Sequence, residues 1–372
     1  MSWHAVDAVD DAVETTRRFL FPFSLVRWTK LAFLVLLMGG GAGASSSVST
    51  SIPSAPGGGL RSQWVTDPDS GAVSVGPFDG ALSLDGTLLA AVGIGIVLFV
   101  AALSVCSLSL RLVFYDALRT DEVRLWRPFL SRLRQAAGLF VLSVFLGVTA
   151  ALPVVLAVLV AVPGSDPVGW RPADAFAESI ARLFAGLSTG PTVAIGLLGV
   201  AVVLIAAFAL RFTYEFVVPI MVAKDTGVIA GWRRFLDTLR RGWSDVLVYL
   251  VVHFFVGVGI SIVEGIAFVL VGATVVVLAG FVLLLAAIPL GGLGALGGTT
   301  VGTAVLAIVV VASILLLAVF LLPVSVVTRT YRIAYEVSTL GGIDTGVALL
   351  HRDIDPNAPT PDTPDPERAA AE

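Results

Sequence analysis

Between residues 246 and 328 the chain runs for 83 residues without a lysine or an arginine. About 20 predominantly apolar residues let a helix cross ~30 Å of hydrocarbon, so this stretch exceeds what one membrane span needs. Other apolar runs occupy residues 31–44, 88–110, 136–162 and 192–210, and the long stretch itself closes on one over 304–327. The pattern predicts an all-α fold, a polytopic transmembrane helical bundle of about six spans. Composition agrees, because charged residues are 13% of the chain against about 25% in an ordinary soluble domain.

The same composition narrows the chemistry. A net charge of −4, with no basic segment interleaved with aromatics, argues against nucleic acid as a partner. Cys106 is the single cysteine, which leaves neither a disulfide framework nor a Cys-x-x-Cys pair. No HExxH, GxSxG or Walker sequence occurs, and no polar segment is long enough for a catalytic domain. The expectation is a protein that is not an enzyme and that holds neither metal nor cofactor. Lys30 and Lys224 are the only lysines against 21 arginines, and Asn357 is the one asparagine, a composition that looks like an extremely halophilic archaeon's, the alternative being a GC-rich genome in a mesophilic bacterium.

Residues 1–27 read as an amphipathic cytoplasmic lead-in, with Val6, Val9 and Val13 on one helical face and Asp7, Asp10, Asp11 and Glu14 on the other. Pro22 breaks that helix, and Arg27, Trp28 and Lys30 form an interface anchor before the first apolar run. A competing reading takes Arg17-Arg18 as a twin-arginine signal and Ala42-Gly43-Ala44 as its cleavage site. The distance between them, interrupted by Pro22, Arg27 and Lys30, favours a first span instead. Residues 28–345 form the helical membrane domain. Within it, residues 45–86 are Ser-, Gly- and Pro-rich and read as a flexible outer loop. Residues 111–135 and 211–245 read as cytoplasmic loops, and 353–372 as a disordered acidic tail. Pro153 and Pro219 are expected to kink or end their helices.

Cationic residues stay on the cytoplasmic side of a membrane. The N-terminal segment holds four, and segments 111–135 and 211–245 hold six each, whereas 45–86 holds only Arg61 and 163–191 only Arg171 and Arg182. A multi-pass protein of the cell membrane follows, with its N-terminus and both Arg-rich loops in the cytoplasm.

Three span exits share one pattern, an arginine, two residues, an aromatic and then an acid at once or one residue later: Arg111 with Phe114, Tyr115 and Asp116; Arg211 with Tyr214 and Glu215; Arg332 with Tyr335 and Glu336. After the first two exits, residues 126–134 and 232–240 both read W-R-x-F-L-x-x-L-R. The chain therefore reads as an internal repeat of a helical hairpin. Equivalent exits face one side, which makes the span number even and puts the C-terminus in the cytoplasm. Residues 246–303 would hold one span plus a re-entrant or interfacial segment over 280–298, the alternative being two spans.

The repeated motif sets Trp126, Phe129, Leu130 and Leu133, and likewise Trp232, Phe235, Leu236 and Leu239, at i, i+3, i+4 and i+7. Each set makes an apolar stripe suited to an interfacial cytoplasmic helix. Arg127, Arg132, Arg134, Arg233, Arg234, Arg240 and Arg241 are then candidates for anionic lipid headgroups, with plain positive-inside anchoring as the simpler account. His253 and Glu264 lie deepest in the Arg-free stretch. On one helix they share a face about 16 Å apart, which makes them candidates for a polar path. The simpler account puts Glu264 near the outer interface.

The entry Pro22-Phe23 with Arg27-Trp28, the short Gly-ended first run, Val218-Pro219 through Asp225 and Gly227 before the Trp232 helix, and Leu322-Pro323 with Tyr331 together resemble uncharacterised haloarchaeal integral membrane proteins. Those are similar to the membrane domain that precedes the catalytic part of some glycerophosphoryl diester phosphodiesterases. The resemblance covers the chain to about Asp344 and implies six helices and membrane association; the catalytic part has no counterpart here. Two functions are compatible with all of this. One is a scaffold or accessory factor acting through membrane lipids or a membrane protein partner. The other is a small transporter or channel using His253 and Glu264.

Overall fold

The computed structural model describes residues 4–39, 64–66, 73–75, 86–161, 175, 178–180, 182–184, 186–347 and 349–358. Helices α1 (His4–Leu20) and α2 (Leu25–Gly39) precede two short strands, β1 (Trp64–Thr66) and β2 (Val73–Val75). Then come α3 (Gly86–Thr120), α4 (Trp126–Ala161) and α5 (Thr189–Phe212), which runs through a π turn (Thr213–Val217) into α6 (Val218–Lys224). Helices α7 (Val228–Arg241), α8 (Trp243–Leu290), the short α9 (Gly294–Gly298) and α10 (Thr300–Ile343) complete the series.

Five stretches are long and apolar enough to cross a membrane: Ala91–Thr120, Trp126–Val158, Thr189–Lys224, Trp243–Leu290 and Thr300–Ile343. They correspond to the last five of the six expected runs. Helix α2 has 15 residues, below what a span requires. The rest of that run, with the Ala42-Gly43-Ala44 site, lies outside the described residues. So does the expected outer loop 45–86, apart from its last residue and the antiparallel pairing of β1 with β2.

The segments expected as cytoplasmic loops are mostly helix. Helix α3 carries on past Arg111 to Thr120, and α6, α7 and the start of α8 fill most of 211–245. Polar residues lowered the hydropathy there without lowering helix propensity, and Leu112, Val113, Phe114, Ala117 and Leu118 supply a buried face. Aspartate stops two of these helices, Asp121 after α3 (φ 51°) and Asp225 after α6 (φ 53°). Aspartate tolerates the left-handed region better than most residues. Each is met by an arginine, Arg27 at Asp121 and Arg119 at Asp225.

At Pro219 the expected disturbance of the helix is seen. Pro219 has no N–H for the carbonyl of Glu215, and the helix relaxes into the π turn over Thr213–Val217 just before it. Pro153 sits inside α4, which continues to Ala161.

The chain divides into two compact units. One comprises Gly40–Ser109 and Arg132–Glu215. Its helices α4 and α5 approach closely where a Cβ on Gly199 would lie 3.2 Å from Pro153. Ser143 and Tyr214 share a hydroxyl hydrogen bond of 2.8 Å, and Arg211 pairs with Glu215 at 2.9 Å.

The other unit comprises Met1–Gly39, Leu110–Ser131 and Phe216–Glu372. Helix α1 packs against α10, but not through Val6 or Val13. Val6 and Val13 are exposed, and the buried face is Ala5, Ala8, Ala12, Thr15, Thr16 and Phe19. Small side chains let the two helices approach closely enough for the Tyr335 hydroxyl to donate to the Ala5 carbonyl at 3.2 Å. Arg27, Trp28 and Lys30, read as a membrane anchor, are bonded within the unit: Trp28 to the Leu20 carbonyl, Lys30 to the Val123 carbonyl, and Arg27 to Asp121 and over the Phe19 ring. The start of the expected disordered tail is docked. Ile354 is buried, Arg18 donates to the Asp355 carbonyl, and Asn357 donates to Asp11 at 2.7 Å. Residues 359–372 lie outside the described ones.

Helices α8 and α10 form one long antiparallel hairpin, which answers how residues 246–303 are used. Helix α8 is unbroken for 48 residues, and Gly280 lies inside it. The expected re-entrant segment shrinks to the tip, where Gly291 (φ 92°) and Gly292 (φ 117°) take the turn. A glycine inside a helix costs only about 1 kcal/mol, which uniformly apolar neighbours offset. At the tip Gly302 is backed directly by the Ala295 carbonyl and the Leu296 backbone, which leave no room for a side chain.

Candidate functional site

The hairpin fixes the heights of the sequence-predicted residues. Thr328 on α10 donates to Glu264 on α8 at 2.7 Å, and Arg329 is next in the chain. Glu264 is therefore level with Thr328 and Arg329, where the Arg-free stretch ends. Beyond it, residues 265–290 and 300–327 form uncharged helix for about 39 and 42 Å, each enough to cross the hydrocarbon.

Below this level lies a buried polar layer built by the exit motifs. The Tyr115 hydroxyl, fully buried, donates to the Glu336 carboxylate at 2.7 Å, and Glu336 is only 2% exposed. Arg111 lies within hydrogen-bonding reach of Tyr115, and Arg111, Arg332 and Arg329 all interact electrostatically with Glu336. Tyr115, which stands in the first exit where the other two carry their acid, thus meets the acid of the third. Sequence reasoning used these residues only to set topology; the repeated Arg, aromatic and acid was itself the signal for a buried site.

Beside the layer runs an aromatic stack. Phe235 of α7 lies against Phe216 with centroids 5.0 Å apart, and Phe216 meets the edge of Tyr249 at 4.8 Å. Tyr249 stacks on Tyr335 at 5.6 Å, and both approach His253, at 5.1 and 5.9 Å. His253 and Glu264 share a face of α8, as expected from their spacing. The same face carries Ile260 between them, buried at 7% exposure, so the two ionisable groups are separated by an apolar step.

The two copies of the nine-residue motif have different settings. Trp126 to Arg134 opens α4 without a break, whereas the second copy forms the separate helix α7. Gly242 follows Arg240-Arg241 and ends that helix, while Gln135-Ala136 follows Arg134 and lets it continue. In the first copy Trp126 is 75% exposed and stacks on Phe129; in the second Phe235 is fully buried and Trp232 half-buried. Arg127, Arg134, Arg233, Arg240 and Arg241 are exposed. Arg132 is buried and donates to Gln135 at 3.0 Å, and Arg234 pairs with Asp344 at 3.5 Å, so these two hold the fold.

Among the described residues, no three His, Cys, Asp or Glu side chains come together in a way that could hold a metal ion. No curated protein and no solved structure matches the chain. The pattern of one family, described as "Family of unknown function (DUF7544)", matches residues 3–350. With nearly the whole chain covered, the protein belongs to that family of unknown function, whose fold here is helical with five membrane-length apolar helices.

Proposed function

We propose that the protein is a non-enzymatic, six-span component of the cell membrane with both ends in the cytoplasm, serving as a scaffold or accessory factor through lipid or a partner protein. One observation carries this reading. In each of the five membrane-length helices, no more than 6% of the most apolar stretch is buried against the rest of the chain. Side chains such as Phe255, Ile266, Phe281, Ile314 and Phe320 stand exposed along α8 and α10. A transporter wraps its helices around a polar path, whereas these helices offer their sides outward and leave that surface for lipid or protein to cover. The apolar step at Ile260 separates the two groups a proton or cation relay would use.

On this reading α2 and the residues after it make the sixth span, the repeated exits face the cytoplasm, and the low lysine content suits a halophilic archaeal membrane. Purification in mild detergent, followed by mass spectrometry of everything retained, is expected to recover stoichiometric lipid or one protein partner. Glu264→Gln is expected to leave any ion or proton flux in proteoliposomes unchanged. Recovery of the bare chain alone, or a flux lost in that variant, would favour the transporter.

A further inference from the structure

Two arginines at the junction of hairpin and base are left over by the contacts around them. Arg329 and Arg332 lie one helical turn apart on α10, half-buried, and neither makes a hydrogen bond or ion pair with another described residue. The charged groups that act on Arg329 are Arg332, Arg111, Glu264 and Glu336. Neither carboxylate is hydrogen-bonded to Arg329 or Arg332. One carboxylate, Glu336, is buried on Tyr115, and the other, Glu264, accepts from Thr328. Two guanidinium groups held half out of water with no carboxylate bonded to them call for an anion. Level with Arg329 and one turn toward the tip, Ile262, Val263, Ile266 and Val327 are exposed and apolar, as acyl chains would require.

We propose that Arg329 and Arg332, backed by Arg111, form a binding site for the phosphate of an anionic membrane lipid at the cytoplasmic end of the hairpin. This rests on the scaffold reading and names its ligand class. Guanidinium forks match a phosphate in bidentate geometry, and Arg329 and Arg332 offer two forks on one face. The site differs in kind from the exposed arginines of the repeated motif. At about 1 M salt the Debye length is about 3 Å, which screens exposed Arg233 and Arg240 but acts far less on recessed groups.

The test uses the purified, delipidated full chain, with thermal unfolding followed as lipid is added. Phosphatidylglycerol is expected to raise the midpoint both at low salt and in about 1 M KCl, while phosphatidylcholine of the same acyl chains is not. Arg329→Lys/Arg332→Lys keeps the charges and the fold but loses the forks, and is expected to need about tenfold more phosphatidylglycerol for the same shift. Arg233→Gln/Arg240→Gln is expected to lose only the part of the response seen at low salt. A double lysine variant that responds like wild type, or an equal shift with phosphatidylcholine, overturns the site. A full shift with inorganic phosphate overturns lipid as its source. Failure of the scaffold reading shows separately, as a chain that retains neither lipid nor partner on purification.

Discussion

Replacing Glu336 with alanine is expected to cost about 3–5 kcal/mol of stability, the usual penalty for removing one member of a buried charged network. The carboxylate is 2% exposed, accepts from Tyr115 at 2.7 Å and is the shared counter-charge of Arg111, Arg329 and Arg332. Its loss orphans a buried phenol and leaves the guanidinium groups facing one another. Glu336→Gln should cost less, since the amide oxygen still accepts from Tyr115. Tyr115→Phe should cost about 1–3 kcal/mol, because the carboxylate loses its donor. Thermal unfolding in detergent reads all three. A Tyr115→Phe/Glu336→Gln cycle should give a coupling energy of at least about 0.5 kcal/mol. Glu336→Ala unfolding within a degree of wild type would mean that water reaches the layer and that the exits are not locked together.

Phe235→Ala is expected to have a comparable effect by a different cause. Phe235 is fully buried and is the side chain by which α7 stacks on Phe216, which in turn meets Tyr249. Truncating a buried phenylalanine costs about 3–5 kcal/mol. The loss should be local at first, because α7 is bounded by Gly227 and Gly242 and can detach as one piece. Limited trypsin digestion should then cut at Arg233, Arg234, Arg240 or Arg241 well before any other site. Leu236→Ala, one residue along and 40% exposed, should change stability by no more than about 0.5 kcal/mol. Equal protease resistance in the two variants would contradict the docking of α7.

Helical class and membrane character were plain in the sequence because long apolar runs without charge have few other solutions. Helix ends were less so. The hydropathy of 111–120 falls with Arg111, Asp116 and Arg119, yet the helix persists because its other face packs. The lead-in helix shows the same limit from the other side. Its valines were the obvious apolar stripe, but alanines and threonines were chosen for contact, since closeness to α10 and not hydrophobicity decided the face. Height along α8 was illegible for want of a partner: only the pairing of Glu264 with Thr328 shows where the apolar hairpin begins. Tyr115 and Glu336, 221 residues apart, could be paired in advance only by noticing that repeated exits bring equivalent positions to one level.

The lone Cys106 makes the central claim open to a direct measurement, because Cys106→Ser yields a chain with no cysteine. Into that background go Leu293→Cys at the exposed hairpin tip and Asp353→Cys beside the docked tail. Intact cells are treated with a membrane-impermeant maleimide, then permeabilised and treated again. If the α8–α10 hairpin crosses the membrane above the polar layer, Leu293→Cys is labelled in intact cells and Asp353→Cys only after permeabilisation. Labelling of both positions from the same side of the membrane would contradict the account.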